Sequence, residues 1–96
     1  MEKIRTGEVE NLLLVLSKLK KSDDCFRLLT DLCTIKEIKD MAQRLEAARL
    51  LSEGKNYNEI VEKMGLSSAT ISRVNRCLQY GSGGYKLALD CLQGGN

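Results

Sequence analysis

The sequence predicts an all-α protein of about six helices, and three observations carry that reading. Apolar residues recur at helical spacing along most of the chain, residues that cap helices stand just ahead of those runs, and no strand-like alternation or hairpin turn interrupts them. The chain has 96 residues and no proline, so helices can run without a break. A folded monomer of this size buries roughly 60–68% of the surface its unfolded chain exposes, enough for one modest core, and residues 1–96 are read as one helical domain.

Val9, Leu12, Leu13, Leu16 and Leu19 recur every three or four residues and predict a first amphipathic helix from about Thr6 to Lys20. Leu14 and Val15 widen its apolar face beyond a single stripe, so this helix should be buried on more than one side, which points to contact with a second chain. Ser22 is placed to cap a second helix, with Asp23 and Asp24 in the first turn where negative charge is favoured. Phe26, Leu29, Leu32 and Cys33 form its expected inward face. Thr34 and Glu37 have capping-box spacing ahead of a long helix whose apolar positions are Ile35, Ile38, Met41, Ala42, Leu45, Ala48 and Leu51, and Gly54 ends it. Residues 93–96 are expected to fray.

Residues 56–80 read as a helix-turn-helix. Asn56, with Glu59 three positions on, caps a short helix holding Ile60, Val61 and Met64 and closing at Gly65; Leu66 follows, and Ser67 starts a further helix through Tyr80. Projected at about 100° per residue, Ile71, Val74 and Leu78 fall within about 60° of one another and face inward. Ala69, Ser72, Arg73, Arg76 and Tyr80 point broadly the other way. That face is small and polar where such a helix meets base edges and basic further along, where phosphates lie. Ser67 and Ser68 leave backbone N–H groups at the helix start for a phosphate. The residues expected to meet DNA are Asn58, Ser67, Ser68, Ala69, Thr70, Ser72, Arg73 and Arg76. The plain alternative is a helix pair used only for packing or protein contacts.

Charge sharpens this. Residues 1–33 carry six Lys/Arg against six Asp/Glu, and residues 34–66 again six of each; the net +2 comes from Arg73, Arg76 and Lys86 against Asp90. Between Gly65 and Gly84 there are two arginines and no acid, and an uncompensated basic stretch attracts phosphate.

The missing histidine removes the usual general base and the commonest metal ligand, and no paired-carboxylate or Gly-rich phosphate motif takes their place. An enzyme is not expected, nor is a metal. Cys25, Cys33, Cys77 and Cys91 form no C-x-x-C pair and read as buried small hydrophobes in a reducing compartment. No apolar run approaches the roughly 20 residues that span a bilayer, and no signal peptide is evident, so a cytoplasmic protein without membrane attachment is expected.

From about Leu28 to Leu89 the chain resembles the Trp repressor family, and as a whole its YerC/YecD-like branch. The resemblance rests on Leu28-Leu29-Thr30-Asp31-Leu32-Cys33-Thr34, on Gln43-Arg44-Leu45 ahead of Leu50-Leu51, on Gly54, and on Met64-Gly65-Leu66-Ser67-Ser68-Ala69-Thr70-Ile71-Ser72-Arg73. It implies an intertwined, all-helical homodimer that presents two recognition helices to a palindromic operator in double-stranded DNA. It also implies a small effector, tryptophan or a related molecule, and no other cofactor. Matched in order, Arg44 and Arg73 fall where the family holds the effector between two arginines, and Thr34 falls near its amino group. Two positions depart from the pattern: Val74 replaces a glycine that leaves room for the effector, and Cys77 replaces a serine. Arg73 has DNA contact and plain solvation as alternatives, and Arg44 an intrahelical ion pair with Asp40, four residues away. The reading that follows is a sequence-specific transcriptional regulator, a repressor by resemblance, with a helical protein-interaction adaptor as the alternative.

Overall fold

The computed structural model describes residues 4–94, and among these there are six α-helices and no strand. They are α1 (Gly7–Lys18), α2 (Ser22–Leu32), α3 (Ile35–Ser52), α4 (Tyr57–Met64), α5 (Ser68–Tyr80) and α6 (Gly84–Leu92). Backbone contacts divide the chain into one unit that ends at Ile38 and a second that begins at Lys39.

In the first unit, Thr6, expected as the start of α1, is its cap: the Thr6 hydroxyl accepts the Val9 amide, and Gly7 is the first helical residue. The helix stops two residues earlier than predicted, because Leu19 turns to extended backbone while its amide still bonds the Val15 carbonyl. The α2 boundary also corrects the sequence reading. Lys21 holds the extended cap conformation and Ser22 is the first helical residue, so Ser22 makes no cap bond. Thr34 and Glu37 do form the expected reciprocal cap: the Glu37 amide donates to Thr34 Oγ1 at 3.0 Å, and the Thr34 amide to Glu37 Oε1 at 2.8 Å.

Neither α1 nor α2 contains a buried residue. Leu12 through Leu16 stay exposed, as do Phe26 and Leu32, while Leu29 and Cys33 are half-buried, so the inward face expected for α2 is only partly covered.

The second unit holds the core. Ala47, Ala48 and Leu50 of α3, Ile60 of α4, and Ile71 and Val74 of α5 are buried together, flanked by Leu51, Tyr57, Val61, Met64, Leu66 and Tyr85. Only the C-terminal half of α3 contributes: Ala47 and Leu50 enter the core although the predicted stripe omitted them, whereas Ile35, Met41 and Ala42 are exposed. A stripe drawn along the whole helix cannot tell which turns will meet a neighbour. Helix α5 packs against both α4 and α6, with Leu78 and Leu89 buried as well.

The cysteines correct a further expectation. All four are free thiols, Cys25 and Cys33 are half-buried, and Cys77 and Cys91 are exposed. Cys77 lies six residues beyond Ile71, about 240° around the helix and away from the buried line. At the C-terminus the Gln93 amide bonds the Leu89 and Asp90 carbonyls and the Gly94 amide bonds that of Cys91, so these two close α6; residues 95 and 96 of the expected frayed tail lie outside the described residues.

Candidate nucleic-acid interface and adjoining concavity

Local bonding fixes α4 and α5 as two short helices joined through Gly65, Leu66 and Ser67. The Glu59 amide donates to Asn56 Oδ1 at 2.9 Å and the Asn56 amide to Glu59 Oε1 at 3.0 Å, the predicted capping box. Helix α4 ends at Gly65, whose φ of 71° lies in the left-handed region that glycine enters without steric cost. Extended backbone at Ser67 then starts α5. The Ser67 hydroxyl is occupied on both sides: it accepts the Thr70 amide at 3.1 Å and donates to Thr70 Oγ1 at 2.9 Å. The Ile71 amide bonds the Ser67 carbonyl, which leaves the amides of Ser68 and Ala69 as open donors at the start of α5.

The wheel predicted for α5 holds in the structure. Ile71, Val74 and Leu78 are buried, and Ala69, Arg73, Arg76 and Tyr80 are exposed. Ser72 and Thr70 are half-buried and sit at the border between the faces, and Ser67 and Ser68 are exposed at the tip. Asn58 is exposed on the first turn of α4, a separate element from the other seven residues expected at DNA.

On the flank of α5, Arg44 of α3, Thr70, Arg73, Val74 and Cys77 of α5, and Tyr85 of α6 line one concavity of about 330 Å³. Four of the five residues expected at an effector are therefore brought together. The fifth, Thr34, lies in the first unit, where it caps α3. Val74 is only 2% exposed and belongs to the core as much as to the concavity, so its branched side chain forms the floor. Tyr85 was missed by sequence reading. Its spacing of four residues from buried Leu89 was the available signal, a helical i, i+4 pair that also brings its half-buried ring toward α5.

The arginines of this unit differ in what they hold. Arg49 forks onto Glu46, with Nε to Oε1 at 2.8 Å and Nη2 to Oε2 at 2.6 Å, and its Nη1 donates to Glu53. These bonds hold the Glu46 carboxyl below its usual range, against the smaller opposing effect of burial, and raise Arg49 further. Among the described residues Arg44, Arg73 and Arg76 have no ion pair or side-chain hydrogen bond. The Arg44–Asp40 ion pair weighed from the sequence does not form; although the spacing permits it, Asp40 has another interaction.

The Trp repressor protein family model matches residues 7–93. The chain is 49% identical over 90 residues to the YerC protein of Bacillus subtilis (strain 168), covering 94% of this chain and 86% of that protein. Among solved structures it is similar to a TrpR-like protein from Eubacterium eligens ATCC 27750, at 43% identity and a TM-score of 0.90, with 97% of this chain and 96% of the other covered. A second similar structure, from Staphylococcus aureus, has 37% identity and a TM-score of 0.88, with 96% and 92% covered.

Proposed function

The chain belongs to the Trp repressor family, and on that premise we propose that it is a sequence-specific DNA-binding transcriptional regulator, a repressor acting on a palindromic operator. The observation that carries this reading is the outer face of α5. It has small residues and open backbone donors at its tip, two unpaired arginines behind, and no acid anywhere along the helix. In the proposed complex Ala69 and Ser72 approach base edges in the major groove, Arg73 and Arg76 meet phosphates, and the Ser68 and Ala69 amides are available to a further phosphate. Asn58 contacts the backbone from α4.

The active species is a homodimer. Two helices with apolar faces and no buried residue in the single chain are what a core shared between two chains requires, and the wide face of α1 supplies most of it. Two copies of α5 would then lie in successive major grooves about 34–36 Å apart. The concavity beside Arg73 is the effector site of this reading, since an occupant would bear directly on the recognition helix. No helix of the described residues is long and apolar enough to cross a membrane, and the proposed setting is the cytoplasm.

An adaptor would instead present an apolar patch on α5. Its outer face is formed by Ala69, Ser72, Arg73 and Arg76, with Tyr80 the one large exposed ring, which favours DNA. The test is selection of bound duplexes from a random pool with the full chain, followed by sequencing. The expected result is two inverted half-sites centred one helical turn apart; recovery of no enriched sequence above background counts against the proposal.

A further inference from the structure

We infer that the concavity between α3, α5 and α6 takes a compact oxyanion with two negative charges, of the phosphate or dicarboxylate class, in preference to an amino acid. The inference specifies the ligand of the effector site proposed above, but it concerns the concavity alone and stands whether or not α5 enters DNA.

Charge is the first argument. Arg44 and Arg73 come from different helices, line the same concavity, and have no anionic partner among the described residues. Two guanidiniums that share a hollow repel each other unless an anion lies between them, and a guanidinium fork matches carboxylate and phosphate oxygens through paired N–H donors. The contrast with Arg49 is direct: that side chain is neutralised by Glu46 and Glu53 on its own helix. A second argument is the rest of the lining that this chain supplies. Thr70 and Tyr85 add hydroxyl groups, Cys77 adds an exposed thiol, and no Asp or Glu takes part. An amino-acid zwitterion brings an ammonium that finds no carboxylate among these six residues, whereas a dianion finds two guanidiniums. The hollow, about 330 Å³ with the buried Val74 among its lining residues, has room for such an anion.

Bound in this way, the anion ties α3 to α5 through Arg44 and Arg73. Occupancy therefore fixes the pose of the helix that carries Ala69, Ser72 and Arg76, and it removes Arg73 from competition for DNA phosphate.

The test uses the full chain and three probes, inorganic phosphate, malonate and tryptophan, titrated at constant ionic strength set with sodium chloride while backbone amide resonances are followed. The expected result is saturable movement of the Thr70, Arg73, Cys77 and Tyr85 amides with phosphate, malonate or both, and none with tryptophan at equal concentration. Response to phosphate alone assigns a phosphate-bearing ligand, and response to malonate alone a carboxylate-bearing one; both support the inference. Arg44→Gln and Arg73→Gln should each weaken binding at least tenfold. Cys77→Asp should abolish it by placing a carboxylate at the rim, while Cys91→Ser, at an exposed cysteine outside the concavity, leaves it within twofold. Linear, unsaturable drift with both anions overturns the inference, as does saturation by tryptophan alone or binding that survives Arg44→Gln and Cys77→Asp. A loss of nonspecific duplex affinity in Arg44→Gln equal to that in Arg76→Ala also overturns it, by assigning the concavity to DNA phosphates. None of these failures touches the operator selection that tests the proposed function.

Discussion

The carbonyl oxygen of Cys77 stands 2.4 Å from where a β-carbon on Gly81 would lie, while it accepts the Gly81 amide at 2.8 Å. Gly81 is the C-cap of α5, where extended backbone ends that helix ahead of α6. Gly81→Ala must therefore displace backbone, and it is expected to destabilise the protein by about 1–3 kcal/mol. Gly84→Ala is the control: its β-carbon would meet only the Ser82 hydroxyl, at 4.0 Å, and its effect should stay within about 0.5 kcal/mol. Chemical denaturation at one fixed protein concentration measures both, and equal stability of the two variants contradicts the assignment.

Ser67 is a cap first. Ser67→Ala removes the acceptor of the Thr70 amide and should cost about 1 kcal/mol, whereas Ser68→Ala, on a residue already helical, should be close to neutral. Hydrogen exchange of the first turn of α5 separates them: faster exchange at Thr70 is expected in the first variant only.

Much of this architecture was legible in the sequence because its signals are local. The caps at Thr34 and Asn56 and the turn at Gly65 depend on neighbours a few residues apart, and the structure has each where the sequence indicated, whereas Ser67, expected to start α5, is its cap and Ser68 the first helical residue. The inward line of Ile71, Val74 and Leu78 is equally local, since one helical period defines it. What failed needed long-range information. The inward face of α3 depends on where α4 and α5 pack, which brought Ala47 and Leu50 into the core and left Met41 outside. Cys77 and Cys91 were read as buried from residue type, although their position on the helix places them outside. The concavity was legible only in part: Arg44 and Arg73 came from the family resemblance, and Tyr85 emerged when α6 was seen against α5.

The apolar face of α1 makes the oligomeric state testable. Leu13→Glu, at a position 40% exposed in the single chain, should cost a monomer little, because it opens no cavity in the core of the second unit. In the proposed dimer it buries an unpaired charge and should convert the protein to monomer in sedimentation equilibrium at micromolar concentration. Unchanged mass would remove α1 from the interface.

Arg49 gives the chain a specific acid response. Its hydrogen bonds hold the folded-state Glu46 carboxyl below the ordinary value of 4.5. A carboxyl depressed by folding contributes stability above its unfolded-state value and loses that contribution as pH falls through the folded one. Denaturation midpoints should therefore decline as pH drops below 4.5, and Glu46→Gln should make part of that decline disappear. The effect is small because solvent reaches both side chains, 41% and 36% exposed. Parallel pH curves for the two proteins would show that the pair carries no folding linkage.

The central claim, that the basic outer face of α5 engages DNA phosphates, is tested most directly by the salt dependence of affinity for the selected operator. Fluorescence anisotropy of a labelled duplex, repeated across a salt series, should show log K falling linearly with log salt for the parent protein. Arg76→Ala should weaken binding to every duplex and reduce the slope by about 1 for each subunit, leaving sequence preference unchanged. Affinity that does not depend on salt, or an Arg76→Ala slope equal to that of the parent, would contradict the account.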